Sequence, residues 1–473
     1  MQSDKKSAMI ITYDMIPYAL QWGACQRMYY LADYLQDHGY SVFVVHTQRS
    51  GNLGDYGHPI HFHSIPVVSQ SRIVSSGNDA FTKKDNGSKL KKASINYVKS
   101  AIRKLNLLSF EEIIFNEPNR GMGIYGYLFT KRARDRIFKT ISEQKVRHVI
   151  ISGPPFSLFR LASHVKKRFP KVNVILDYRD PWNTPYLSHR IPSRVEREAL
   201  KYADKVVFLN DRMLCDISSK YDLPKEKCAV VLNGYSKQDW DEVYREVVDR
   251  KIYDHTQPDK MIIAYIGSTS FMNGGYGNLS SLLEAWKTFQ ENKNVCLRFV
   301  GVNPSDVVDK VKRQFPDTLE ILPPVDTKRA LEYMIESDVL FLNHTDAKKG
   351  RYMLTGKFFD YIRSGRVILG IASSESTYFI ELIQQYHLGV GCLAQPAQIL
   401  ECLELLYDRW LKGSLQELRK GDGLDIEELS RETQNAKYLQ LLEDLEFNSS
   451  FAGVHPLHQI IETQEPCNLR KNL

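Results

Sequence analysis

RYMLTGKFFDYIRSG, residues 351–365, stands between two strongly apolar runs, VLFLN (339–343) and VILGIA (367–372). Short apolar runs without polar alternation suit strands buried on both faces, and the stretch between them has helical periodicity. The helix opens on Thr355, Gly356 and Lys357 and carries Asp360 one turn later. Two readings fit these residues. In one, Thr355 caps the helix and Lys357 pairs with Asp360 at i, i+3 on a solvated face. In the other, the free amides of the 353–356 turn bind a phosphate, Gly356 lets the backbone come close, and Lys357 adds a full charge. Asp360 then lies about 7 Å further along the axis, roughly the reach from a pyrophosphate to its ribose, and a carboxylate can accept both hydroxyls of a cis-diol. The stretch by itself leaves both readings open.

The same alternation runs through the chain. AMIITYD, YSVFVVH, HVIIS, VNVILDY, KVVFLN and AVVLN form a first series of apolar runs separated by helical patterns. MIIAYIG, VCLRFVG, LEIL, VLFLN, RVILGIA and LGVGC form a second. At 473 residues the chain is too long for one ordinary core. The expected fold class is therefore α/β, with two doubly wound, Rossmann-like parallel sheets facing a cleft. The expected domains are 1–245, with an insertion at 49–128, and 258–424, joined by a charged connector at 241–260. Residues 425–445 read as a helix within a C-terminal segment, 425–473, that packs back on the first domain. From about 447 onward the chain has no clear periodicity and reads as a tail or a wrapped segment.

Hydrophobic residues make up 43% and charged residues 25%, the composition of a folded soluble protein. A net charge of +7 suits anionic partners without pointing to nucleic acid. Seven cysteines, odd in number and without a CxxC pair, read as reduced thiols in a cytoplasmic protein with no zinc site. No apolar run approaches the roughly 18 residues that cross a bilayer, and the N-terminal AMII is too short for a signal peptide. KLKKASINYVKSAIRKL, at 89–105 within the insertion, sets Ile95, Val98, Ile102 and Leu105 among lysines and arginines. Such a helix can lie on an anionic membrane surface, which would make the protein peripheral on the inner face, or it can pack on its own domain.

Glycine, proline, hydroxyl and charge gather in the loops after the strands, where open parallel sheets bind ligands. Two nucleotide motifs fail on spacing. Gly23 stands alone in the first β-α turn where a dinucleotide fingerprint needs G-x-G-x-x-G, which argues against NAD. At 351 an arginine replaces the first glycine of a phosphate loop, and Phe358 follows Lys357 in place of Ser or Thr.

Taken together, "TGKFFDYIRSGRVIL", the Asn233-Gly234 pair after the seventh strand, and DYRDPW (Asp177 to Trp182) resemble the GT-B glycosyltransferases, specifically the family 4-like retaining enzymes. One branch of these is closer, with Pro17, Gly23, Gln26 and Arg27 before the first helix and Ser152, Pro154 and Pro155 in a turn. The resemblance runs from about residue 9 to 445. It implies sugar transfer from a nucleotide-diphosphate sugar bound by the second domain to a glycan or lipid-linked acceptor bound by the first, in cell-surface polysaccharide assembly. Carried over by position, Tyr352, Leu354, Thr355, Gly356 and Lys357 hold the diphosphate and Asp360 the ribose. Val325 meets the base, Gly267 and Ser268 start the loop below the phosphates, and Gly23 approaches from the first domain. Arg179 takes the place of a histidine near the sugar. Tyr352 stands where relatives carry a first glutamate, and the 268–278 loop lacks their Arg and Lys, so Arg351, Lys348, Lys349 or Lys357 must balance the pyrophosphate.

Breaking a sugar–phosphate bond needs positive charge aimed at the leaving oxygens. The resemblance implies retention, with Lys357 and Arg179 catalytic, and neither metal nor cofactor beyond the donor itself. An inverting reaction would need a base, for which Asp180 is the candidate. A structural ion-pair cluster of Asp177, Arg179 and Asp180 under Trp182 is the other reading. A sugar-nucleotide epimerase of the same fold and a non-catalytic subunit of a glycan-assembly complex are the alternative functions.

Overall fold

The structure, a computed structural model, describes residues 6–19, 22–48, 58–68, 124–182, 190–249, 260–267, 279–344 and 350–451. The expectations resting on 89–105, on Ser268 and its loop, and on Lys348 and Lys349 lie outside these residues. Two compact units divide the chain: residues 1–54, 60–231 and 435–473 form the first, and 55–59 with 232–434 the second.

In the first unit the order is β1 (Ser7–Ile11), α1 (Trp22–Asp37), β2 (Ser41–Gln48), β3 (His63–Val68), α2 (Ile124–Gln144), β4 (His148–Gly153), α3 (Arg160–Arg168), β5 (Asn173–Tyr178), α4 (Arg190–Tyr202), β6 (Lys205–Phe208), α5 (Asp211–Tyr221) and β7 (Cys228–Val230). The strands pair in parallel in the order β3-β2-β1-β4-β5-β6-β7. Ile10 lies opposite Val44 on one side and Ile150 on the other. Both β1 and β4 are buried throughout, which is why they read as unbroken apolar runs.

The 49–128 insertion supplies β3, a strand the sequence reading did not anticipate. Pro66, opposite His46, lacks the amide of a central strand, so HSIPVV does not read as one. At the sheet edge the loss is tolerated, and the Pro66 carbonyl accepts from Arg136 Nη1 at 2.7 Å.

The second unit continues with α6 (Lys237–Asp249), β8 (Met261–Ile266), α7 (Ser280–Phe289), β9 (Val295–Val300), α8 (Asp306–Gln314), β10 (Leu319–Leu322), α9 (Thr327–Ile335), β11 (Val339–His344), α10 (Gly356–Ser364), β12 (Val367–Ala372), α11 (Tyr378–Gln385), β13 (Gly389–Leu393) and α12 (Pro396–Leu411). Its parallel sheet runs β10-β9-β8-β11-β12-β13. One core holds Trp240, Leu331, Phe358, Ile362 and Ile380. The other holds Trp286, Phe289 and Leu403.

The expected boundary at 245 cuts through α6, which belongs to the second unit. Trp240, Val243 and Tyr244 recur at helical spacing, and the first two are buried in that core. Among so many charged neighbours the stripe passed for a solvated connector. The last helix, α13 (Arg431–Phe451), starts later than 425 and continues past 447. From residue 435 it belongs to the first unit. There Asn435 Nδ2 donates to the Tyr30 carbonyl at 3.1 Å, Lys6 pairs with Glu443 at 2.8 Å, and Glu446 meets the buried His148 Nε2 at 3.0 Å.

The two ends of the second unit are stitched to each other. The Leu232 amide donates to Gln434 Oε1 at 2.9 Å, Tyr235 donates to the Leu429 carbonyl at 3.1 Å, and Arg431 donates to the Tyr235 carbonyl at 2.7 Å. Gly234 sits at the crossing with φ +66°, and a Cβ there would lie 2.8 Å from the Arg431 nitrogen. Gly234→Ala is expected to cost about 2 kcal/mol or more, combining a left-handed alanine with a backbone collision. A lowered urea midpoint of unfolding checks this; an unchanged midpoint would mean that the stitch yields freely.

Candidate functional site

Helix α10 is held in place before any ligand is considered. Phe358, Phe359, Tyr361 and Ile362 are buried, and full burial of each such side chain is worth about 1.5–3 kcal/mol. The Tyr361 hydroxyl accepts from the Ile266 amide at 3.0 Å, at the end of β8. The Tyr244 hydroxyl donates to the Arg363 carbonyl at 2.8 Å.

Lys357, Asp360 and Arg363 then fall on one stripe at i, i+3 and i+6, and aromatic rings cover it. Lys357 Nζ lies 5.0 Å from the Tyr265 ring centroid. Asp360 Oδ1 accepts from Trp240 Nε1 at 3.1 Å. The Arg363 guanidinium stacks 4.6 Å from Tyr244. The solvated Lys357–Asp360 ion pair does not form among the described residues, and Thr355, at the N-cap position, makes no side-chain cap bond. Trp240 and Tyr244 of α6 cover Asp360 and Arg363, the part of the stripe that the ion-pair reading would leave in water.

The strand order reverses between β8 and β11, and in open parallel sheets ligands bind beyond the strand ends at such a reversal. Gly267 follows β8 there with φ +125°, and a Cβ on it would lie 2.3 Å from Lys357 Cε and 2.8 Å from Nζ. Gly301, after β9 with φ +97°, comes as close to the Gly267 backbone, where a Cβ would meet it at 2.9 Å. Two side-chain-free turns therefore leave room for the lysine. Phe358 donates to the Thr355 carbonyl at 3.1 Å. The amides of Gly356 and Lys357 precede the helical ladder and have no backbone acceptor among the described residues. Two N–H groups without a backbone acceptor among the described residues, a helix N-terminus and an ammonium group converge here, the donor set of an anion seat.

Asp360 is only partly exposed. Burial pushes its carboxyl up from 3.8 to about 6. Arg431, the Trp240 N–H and Lys357 pull the other way, while Asp239 adds to the rise. Leu354 and Tyr352 are buried, so in the 352–355 turn their side chains support the backbone. The Leu354 carbonyl accepts from Asn233 Nδ2 at 3.3 Å. Thr355 is exposed. Val325, between β10 and α9, is 37% exposed, an apolar surface on a loop. Trp240, Gly301 and Arg431 were missed in the sequence. The first lies immediately before the expected connector, among charged neighbours, and the others carry no motif.

In the first unit Gly23 is the second residue of α1 and has open space around it. Arg179 is committed to backbone carbonyls: Nη1 donates to Ala24, Nη2 to Pro154 at 2.6 Å and Nε to Gly153 at 3.4 Å. It braces the turn that carries Gly23 against the turn after β4. Asp177 is fully buried, pairs with Arg27 at 2.8 Å and accepts from Ser152 Oγ at 2.9 Å. Asp180 is partly buried next to Arg179 in the chain. Trp182 stacks on Phe156 at 4.9 Å. Among the described residues no group of three or more His, Cys, Asp or Glu is placed to hold a metal ion, and no helix is long and apolar enough to cross a membrane.

Known structures share this arrangement of two parallel sheets. A glycosyltransferase from Rickettsia africae matches with a TM-score of 0.59 and 11% identity over 94% of this chain and all of that one. Anabaena Alr3699/HepE, solved in complex with UDP, matches at 0.57 and 9% over 93% of this chain and 100% of its own. The chain has the GT-B fold. WaaG, a glycosyltransferase involved in lipopolysaccharide biosynthesis, matches this GT-B chain at 0.53 and 14%, over 92% and 99% of the two chains. No sequence-family model matches, and neither does any curated protein.

The raised Asp360 value has a thermodynamic signature. Its folded-state value of about 6 lies above the unfolded 3.8, so stability falls as pH rises from about 4 to 6 and the loss is complete above that, at about 3 kcal/mol at most. Asp360→Asn keeps an acceptor for Trp240 and removes the titration. Its melting temperature relative to wild type is expected to rise between pH 4 and pH 8. A pH-independent difference would put the carboxylate in water.

Proposed function

We propose that the protein transfers a sugar from a nucleotide-diphosphate sugar to a glycan or lipid-linked acceptor in cell-surface polysaccharide assembly, with retention of anomeric configuration. The observation that carries this reading is the anion seat of Gly267, Gly356 and Lys357 at the strand-order reversal, with the Asp360 carboxylate one turn along the same helix. A diphosphate suits the seat and a ribose diol suits the carboxylate. The exposed Val325 offers a face for the base. That HepE, on the same fold, binds UDP and UDP-glucose supports a nucleotide-sugar donor.

Departure of the diphosphate moves negative charge onto its oxygens. The Gly356 and Lys357 amides and the Lys357 ammonium group meet that charge with donors already in place, which lowers the barrier without reorganisation. The leaving phosphate takes the acceptor proton, as retention requires when no second carboxylate serves as nucleophile. Arg179 contributes by holding the Gly23 turn, and Asp180 is the base if the reaction inverts. The basic stretch 89–105 suits an acceptor presented on an anionic membrane.

Purified protein incubated with a panel of nucleotide sugars tests the reading. Nucleotide release that depends on an added acceptor supports transfer; isomerised donor indicates an epimerase, and inertness a binding subunit. With a donor in hand, Lys357→Met is expected to lower turnover about a hundredfold, equivalent to roughly 2.7 kcal/mol, with a smaller change in donor affinity. Turnover that survives while affinity falls would reduce Lys357 to uniform binding.

A further inference from the structure

Trp240 is one of the largest fully buried side chains of the second unit, at 0% exposure, yet its one polar atom is used on the candidate site. The indole Nε1 donates to Asp360 Oδ1 at 3.1 Å. The ring is fixed from several sides. It lies 5.4 Å from Tyr244, in the core that includes Val243, Phe358 and Leu354, and its own amide donates to the Ser236 carbonyl at 3.2 Å.

A carboxylate offers about four acceptor positions on two oxygens. Among the described residues Oδ1 has the indole donor, and no side chain or amide donates to Oδ2. Asp360 retains partial exposure, so this second oxygen is the one a ligand would meet. A free aspartate on a helix samples several rotamers and loses them on binding; a donor anchored in the core removes that cost in advance.

We propose that Trp240 is a positioning residue that presents Asp360 to the ribose of a bound nucleotide, holding Oδ1 and leaving Oδ2 for the diol. The inference rests on the reading of Asp360 as the ribose acceptor. The charged groups facing Asp360 are Arg431, Asp239 and Lys357, and the indole N–H, like the two cations, favours the ionised form. Without it the carboxyl rises further above 6, so nucleotide binding near neutral pH loses both geometry and charge.

Calorimetry with UDP, GDP and ADP, and with inorganic pyrophosphate, tests this on the full chain. Trp240→Phe keeps an aromatic ring in the core and removes the donor. It is expected to weaken the tightest-binding nucleoside diphosphate about tenfold at pH 7. The upper pH range needed for binding should shift upward, while pyrophosphate affinity, which involves no ribose, stays unchanged. General damage to α10 would weaken both ligands and overturn the proposal. So would unchanged nucleotide affinity in Trp240→Phe when Asp360→Ala weakens it. If Asp360→Ala itself leaves nucleotide affinity unchanged, or none of the three nucleotides binds, the ribose reading fails instead. Should Trp240→Phe not fold, the indole N–H resonances of the five tryptophans serve. The resonance perturbed by Asp360→Asn should shift on nucleotide addition and not on pyrophosphate addition, and an unmoved resonance overturns the proposal.

Discussion

The hydrogen bond from the Ile266 amide to the Tyr361 hydroxyl fixes how deep α10 sits against the end of β8. Both groups are buried, and a buried backbone amide left without a partner costs about 1–3 kcal/mol, so the helix cannot slide without exposing that penalty. Everything else at the site inherits its position from this contact. Lys357 lies one turn before Tyr361 and so reaches the Gly267 turn, while Asp360, the residue before it, faces α6.

The consequence is a stripe of three charged side chains, each against an aromatic surface. Tyr265 lies under Lys357, Trp240 holds Asp360, and Tyr244 stacks on Arg363. Aromatic faces favour cations and indole N–H groups favour anions. The three charges are thereby kept apart from one another, although their i, i+3 spacing would let them pair, and Arg363 instead meets Asp241 at 3.3 Å. An ammonium group not already neutralised by a neighbouring carboxylate keeps its full charge for a phosphate. A carboxylate not paired with a lysine keeps an oxygen for a hydroxyl.

Much of this architecture was legible in the sequence because parallel sheets bury both faces of their strands. VLFLN and VILGIA could be strands of no other kind, and their alternation with helices implied two doubly wound sheets. The start of α10 at Gly356, with Lys357 and Asp360 following, was legible from the Thr-Gly-Lys opening, although Thr355 makes no side-chain cap bond. What could not be read was tertiary. Pro66 disguised an edge strand, and the charged neighbours of Trp240 disguised a core helix. Arg179 read as a residue near the sugar or as part of an ion-pair cluster, because nothing in DYRDPW shows that three backbone carbonyls from Ala24, Gly153 and Pro154 absorb its donors. The positive φ values of Gly267 and Gly301 are likewise set by how two turns meet, not by local sequence.

Gly234 brings the entry and exit of residues 232–434 into direct backbone contact, so most of this unit enters and leaves the chain through adjoining ends. Joining two ends that already touch needs only a short linker, and the entropy of closing a loop grows only slowly with its length. Insertions and deletions inside 232–434 are therefore felt locally and do not change the span that the flanking chain must bridge. The same proximity gives residues 232–434 adjoining ends at one seam, while residues 55–59, which group with the same unit, come from elsewhere in the chain. A lineage could exchange these residues through that seam while leaving the strand order of the first sheet intact.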